Sequence, residues 1–450
     1  MATAISVDVG EFLRERPVGG FFIRVFILCT AVQMLEGYDL TSMAFAAPGL
    51  VHDWHINRAG LGTVFSAGNL ATVVGAIVFG ALGDRFGRRP ALIACAFILG
   101  IFSLATVSAT SISALVILRF CTGLGIGGGF PNAIALVAEY VPARRRGLVL
   151  TLASCGISFG AVIGGTVVRS LIAGHGWQAV FYIGGFVGIA LAVTLIVALP
   201  ESVRFLILEG RPRERIDRIL AKVAPQFSLG AATILIFSDE ERSGVRLKGL
   251  FTGGRAMLTL LLSATLFASF VTLTFLNQWM PTMLTAFGVA TESAVTAAIV
   301  FQLGALVAAL VHGLLIDRFG YRVVITINYL FAAAFVVVLV SFGPAAGFIT
   351  IDAFAVGFCS AGGQNILNGL SGAVYPTVMR ASGAGFAGAV GRLGGVVGPS
   401  VGGLMFAAHW SVPTMYRVAA LPLILTAVTG FLLGRVARQR DVAKPVLESA

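Results

Sequence analysis

The chain has 450 residues, of which 57% are apolar and only 11% charged, against roughly 45–50% and about 25% in soluble domains. With a mean hydropathy of +0.94 it has too little polar surface to stay dispersed in water, and it lacks the charge or short repeat that disorder, collagen or a coiled coil requires. The net charge of +11 would suit nucleic acid, but the apolar runs are long and nearly continuous, which excludes a porin-like barrel as well and leaves an all-α polytopic membrane protein.

In chain order, a polar segment of mixed charge covers residues 1–21 and reads as a cytoplasmic tail with no cleavable signal peptide. Six apolar segments follow near 22–49, 60–82, 91–109, 112–137, 147–170 and 177–198. A polar stretch over 199–255 reads as a cytoplasmic linker, with an amphipathic helix near Arg211 to Val223 supported by the Glu214–Arg218 spacing. Six more segments lie near 256–284, 293–315, 322–341, 346–371, 382–406 and 413–434, and a tail over 435–450 ends the chain. The prediction is twelve transmembrane helices in two six-helix halves, 22–198 and 256–434.

The Lys and Arg residues orient the bundle. With the first residues inside, 26 of the 31 fall on the inner side, ten of them between Arg204 and Arg255. Arg58, Arg169 and Arg417 fall outside, while Arg119 and Arg392 lie within spans. This asymmetry predicts both ends in the cytoplasm and accounts for the basic charge as a topology signal rather than as a nucleic-acid surface. The five cysteines sit in apolar runs without metal spacing, so they read as small buried hydrophobes, and no metal site or enzyme constellation is expected.

The halves repeat. GALGDRFGRR at 80–89 returns as GLLIDRFGYR at 313–322, an offset of 233; Pro142-xxx-Arg146 returns as Pro376-xxx-Arg380; Asn132 returns as Asn365; Gly160-xxx-Gly164 returns as Gly394-xxx-Gly398. Parallel six-span repeats are the plan of the major facilitator superfamily (MFS fold), and residues 80–89 resemble that superfamily's signature between spans 2 and 3. The resemblance implies a conformational latch made by Gly80, Asp84, Arg85, Gly87, Arg88 and Arg89, by Gly313, Asp317, Arg318 and Gly320 of the second copy, and by Glu139, Arg146 and Arg380. Tyr321 departs from the pattern where the first copy has Arg88. Spans 5 and 11 begin on the cytoplasmic side, so their helix dipoles suit Asp317 and Asp84 respectively.

Charges retained inside spans cost about 2.5–3.5 kcal/mol each on the insertion scale and ask for a reason. Glu36 and Asp39 are three apart on one helix face, and two acids there cannot both be charged cheaply, which suits a proton site. Arg392 lies among glycines in span 11, and its guanidinium fork matches a carboxylate; Arg119 in span 4 either does the same or pairs with an acid of span 1. Gln278 and Trp279 of span 7, Gln302 of span 8, and Gln364, Asn365 and Asn368 of span 10 are further candidates for substrate contact or for bridging helices. Asp352 reads as interfacial, and no histidine is placed for a proton relay.

Several segments resemble one branch of that superfamily, the aromatic acid:proton symporter family: Leu35-Glu36-Gly37-Tyr38-Asp39, Arg119-Phe120 through Glu139-Tyr140, Leu199-Pro200-Glu201-Ser202 through Leu206, Gln278-Trp279-Met280-Pro281, and Tyr375-Pro376-Thr377 through Gly391-Arg392. The resemblance runs from about residue 20 to residue 435. Family members commonly have Asp where this chain has Glu36. The resemblance implies import of a small aromatic carboxylate such as a hydroxybenzoate, protocatechuate or gentisate across a bacterial inner membrane, by a monomer in the lipid bilayer, with a proton gradient and no cofactor as the drive. Other superfamily carriers, for a non-aromatic anion, a drug or an organic cation, and a non-transporting sensor are the rival readings. Two intramembrane arginines weigh against a cation.

Overall fold

A computed structural model describes all residues except 1–5, 15–18, 224–233, 237–246, 253–254, 376–378 and 448–450. After a short strand β1 (Ser6–Asp8) and helix α1 (Val9–Arg14), the first half consists of α2 (Gly20–Trp54), α3 (Ala59–Phe86), α4 (Arg88–Val107), α5 (Ile112–Tyr140), the pair α6 (Arg146–Ser154) and α7 (Gly156–His175), and α8 (Gln178–Ala198). The linker holds α9 (Val203–Leu208), α10 (Arg213–Val223) and strand β2 (Ile234–Ile236). The second half consists of α11 (Ala256–Ala286), α12 (Thr291–Val338), α13 (Ala346–Ala373), α14 (Arg380–Ala407) and α15 (Val412–Leu447).

Among the described residues ten helical stretches are long and apolar enough to cross a membrane, with α6 and α7 joined as one. A bilayer core needs about 20 residues of helix, so α12 with 48 residues is two spans. It bends at Gly320, whose φ of 75° and ψ of 158° break the helix. The 28-residue α13 supplies the twelfth span, packed against α12.

The repeated glycines have a steric cause. Side chains at Gly160 and Gly164 would run into Met34 and Tyr38 of α2, and side chains at Gly394 and Gly398 into Phe267 and Val271 of α11. In each half the fifth span crosses the first at a point where only a hydrogen fits, the small-residue packing of membrane helices.

The polar ends differ from expectation. The residues before span 1 are docked: Val9 and Leu13 are buried in a core with Val137, Tyr140 and Leu206, and β1 pairs with β2 in parallel, Ser6 with Ile234. In α10 the i,i+4 ion pair is Arg213–Asp217 at 3.1 Å. Arg218 instead donates to the backbone carbonyl of Glu214. Asp352 is buried, not interfacial, and His312 is buried edge-on to Phe358 of α13.

Candidate functional site between the halves

Among the described residues, hydrogen bonds and ion pairs that join the halves come from three places, all away from the Lys/Arg-rich end. The Ser66 hydroxyl donates to the Val396 carbonyl and pairs with Ser400. Asn69 donates to the Gly395 carbonyl at 2.7 Å and exchanges amide bonds with Gln278. Arg169 pairs with Glu292 at 2.5 Å. Trp279 is wholly buried beside them, its indole N–H donating to the Pro399 carbonyl and its ring against Phe65 and Phe406. At the other end, nothing approaches within 4 Å of the position a side chain would take at Gly80, Gly147, Gly313, Gly385 or Gly388. Among the described residues the halves are thus bonded to each other away from the basic end, and no bond joins them at the basic end itself.

Asp39 and Arg119 form a buried ion pair, Nη1 to Oδ2 3.3 Å. Arg119 also donates to the Thr106 hydroxyl at 2.7 Å and lies 4.8 Å over the Phe181 ring. Every one of these groups belongs to the first half, so Asp39–Arg119 is an internal unit of that half. A narrow cavity of about 30 Å³ beside it is lined by Asp39, Asn69, Thr72, Arg119 and Gln278. This volume suits about one water and is far below the roughly 300 Å³ at which organic-ligand pockets begin.

Glu36 lies one turn away in a different setting. It is buried, its Oε1 has no hydrogen-bond partner among the described residues, and it packs on Gly129 of α5, where any side chain would strike it. Its electrostatic partner is Arg392 of the second half. Arg392 is exposed although it lies midway along α14. One carboxylate of the first half and one guanidinium of the second thus act on each other electrostatically.

The remaining candidates divide. Gln302 is buried and donates to Asn277 at 3.5 Å. Gln364 is held inside the second half by Ser269, itself bonded to Tyr329, while Asn365 and Asn368 are exposed. Gln33 was missed by sequence reasoning: it is fully buried with both amide atoms unpartnered, one turn before Glu36. A polar residue three before an acid in an apolar span was the available signal. Asn69, the centre of the contact between the halves, was missed as well.

At the basic end the first loop copy is folded on itself. Asp84 pairs with Arg88, which also donates to Asn132. Arg89 donates its backbone N–H to Glu201 and its guanidinium to the Ile196 carbonyl. Burial pushes the Glu201 carboxyl above its ordinary range, opposed by the N–H groups of Ser202 and Arg89. Glu139 accepts from the Ser202 hydroxyl and the Arg204 N–H. Arg85 and Arg318 lie against Phe86 and Phe319. Arg146 and Asp317 are exposed, and the Arg380 side chain, like Pro376, lies outside the described residues. Among the described residues neither Asp84 nor Asp317 is bonded to the opposite half.

Residues 29–301 and 262–449 match the Major Facilitator Superfamily. The chain belongs to this superfamily. It is 35% identical over 438 residues to the 4-hydroxybenzoate transporter PcaK of Pseudomonas putida, covering 96% of each chain, and 32% identical over 423 residues to a gallate transporter of the same organism, covering 94% of each. Its fold matches the xylose transporter XylE from E. coli in a partially occluded inward-open conformation, with a TM-score of 0.70 at 18% identity, over 91% of this chain and 97% of that one. The family resemblance read from the motifs is therefore shown, and the chain is a multi-pass membrane transporter of the major facilitator type.

Proposed function

We propose that this transporter imports an aromatic or closely related small carboxylate together with protons, by alternating access. The observation that carries the reading is the buried Asp39–Arg119 pair three residues from buried Glu36, together with Arg392 of the second half, whose charge acts on Glu36. A guanidinium facing open space offers a fork of donors to a carboxylate. An arriving anion draws Arg392 away from Glu36, and a proton on Glu36 or Asp39 removes the charge left behind, so the loaded carrier presents a compensated interface. The relatives' substrates, 4-hydroxybenzoate and gallate, are aromatic carboxylates and fit this arrangement.

With the Lys/Arg-rich end in the cytoplasm, the conformation described is inward-facing: closed outside by Ser66, Asn69 and Arg169 with their partners, open inside. Return to the outward state needs the Asp84 and Asp317 turns to approach the opposite half, the latch role of those loops. Gln278 and Asn69 exchange bonds at the closed end, so Gln278 is exposed to substrate only when that end opens.

The test is uptake by the purified protein in liposomes, with labelled 4-hydroxybenzoate, protocatechuate and gentisate, an inward proton gradient, and a protonophore control. Protonophore-sensitive accumulation is the expected result. Accumulation that ignores the protonophore but follows sodium would overturn proton coupling, and absence of uptake of all three by correctly inserted protein would overturn the aromatic substrate.

A further inference from the structure

A second cavity, of about 630 Å³, lies at the Lys/Arg-rich end, between the starts of α2 and α4, the end of α8, and the linker helices α9 and α10. Six cations line it, Arg24, Arg89, Arg211, Arg215, Arg218 and Lys222, against one carboxylate, Glu201, among the described lining residues. Arg211, Arg215, Arg218 and Lys222 follow spacings of four, three and four, so they share one face of α10 and its leading turn. Ile216 and Leu220 bury the other face.

These charges are unspent. The ion pair of α10 uses Arg213, which does not line the cavity. Among the described residues Arg24, Arg211, Arg215, Arg218 and Lys222 form no ion pair, and Arg24 and Arg211 rest on the rings of Phe21 and Phe205. The Arg89 Nε is buried without a hydrogen-bond partner. Glu201, whose Oε1 accepts from the backbone N–H groups of Arg89 and Ser202, offsets one of the six cations and leaves a large positive excess. The rim is apolar: Phe86 and Val197 line the cavity and are 55% and 84% exposed, on the outside of the bundle where lipid would lie. A cationic wall meeting an apolar rim at the edge of a membrane is the shape of an amphiphile with an anionic head.

We propose that this cavity binds a phosphate-bearing anion, in the form of the headgroup of an anionic phospholipid. Guanidinium forks match phosphate oxygens in pairs, and basic pockets at span ends attract such headgroups. The proposal takes the Lys/Arg-rich end as cytoplasmic, and it concerns a site separate from the opening between the halves. A bound lipid would fasten the linker to the first half. A soluble phosphate compound shares the same chemistry, so the experiment separates the two sources.

Full-length protein in detergent is offered phosphatidylglycerol or phosphatidylcholine of the same chain length and examined by native mass spectrometry; inorganic phosphate is tested separately by thermal melting. The expected result is at least tenfold greater retention of phosphatidylglycerol, lost in R215A/R218A/K222A and reduced about threefold in Lys222→Ala, whose exposed position keeps that arm independent of folding. A phosphate-dependent rise in melting temperature, absent in the triple variant and without any lipid preference, would support the anion site with a soluble ligand. If the wild type shows neither effect, or if the triple variant still melts cooperatively and keeps the lipid preference, the proposal is wrong.

Discussion

In the first half, the turn at Gly87 is bridged by Asp84 and Arg88. In the second, the turn at Gly320 has a similar backbone, with ψ of 158° against 154° and positive φ in both, yet Tyr321 stands where the arginine would be and among the described residues Asp317 forms no ion pair. The same divergence runs deeper into the bundle. Asn132 is buried and donates to the carbonyls of Phe79 and Gly128, whereas its repeat partner Asn365 is exposed. The first half neutralises Arg119 internally with Asp39; the second leaves Arg392 facing open space. Duplication preserved the helix crossings, which steric fit enforces, and released the side chains, so that the intramembrane acids Glu36 and Asp39 lie in one half and Arg392 in the other.

The strongest way to break this comparison is to remove the internal pair of the first half. Asp39→Asn leaves Arg119 buried without a counter-charge, a loss of about 3–5 kcal/mol for buried pairs, and it removes a proposed proton carrier. Liposome uptake by this variant should lose gradient-driven accumulation altogether, and D39N/R119Q should regain thermal stability without regaining accumulation. Restored accumulation in the double variant would mean that the pair serves structure only.

Removing the anion receiver should act on affinity instead. Hydrogen bonds to charged groups are worth about 1.5–3 kcal/mol, so Arg392→Ala should raise the apparent KM for the carboxylate by about 10- to 100-fold. Its melting temperature should stay unchanged, since the side chain is exposed. An unaltered KM would remove Arg392 from the substrate site.

The loop copies offer a smaller contrast. Gly87 and Gly320 occupy a backbone region held almost only by glycine, so alanine at either costs of order 1–3 kcal/mol. At Gly87 the added carbon also strikes the Glu201 carboxylate, while at Gly320 it meets nothing within 4 Å. Gly87→Ala should therefore lower the melting temperature more than Gly320→Ala; equal effects would show that strain alone governs both turns.

Much of this was legible in the sequence. The spans were, because long apolar runs cut by Gly, Pro and charge report membrane crossings directly, and the repeat was, because Gly160 and Gly394 are held by the same crossing. The choice of partner for Asp39 was not. Arg119 and Arg392 were both intramembrane cations, and only packing shows that α5 brings Arg119 within 3.3 Å while Arg392 acts on Glu36 instead. The docking of Val9 and Leu13 was equally hidden, since a short amphipathic turn ahead of a span has no period long enough to stand out.

The last contrast is between the two ends of the interface. Arg169 and Glu292 pair across the halves at the closed end, but both side chains are substantially exposed, and such pairs contribute about 0.2–1 kcal/mol in screening solvent. Arg169→Ala should therefore shift the balance of closed and open outer ends by no more than about fivefold, and the shift should shrink as salt rises. Spin labels on the outer ends of α7 and α12, read by double electron–electron resonance, would report it as a growing long-distance population. A shift well beyond fivefold would make this pair, and not the buried Asn69–Gln278–Gly395 cluster, the principal lock of the outer end.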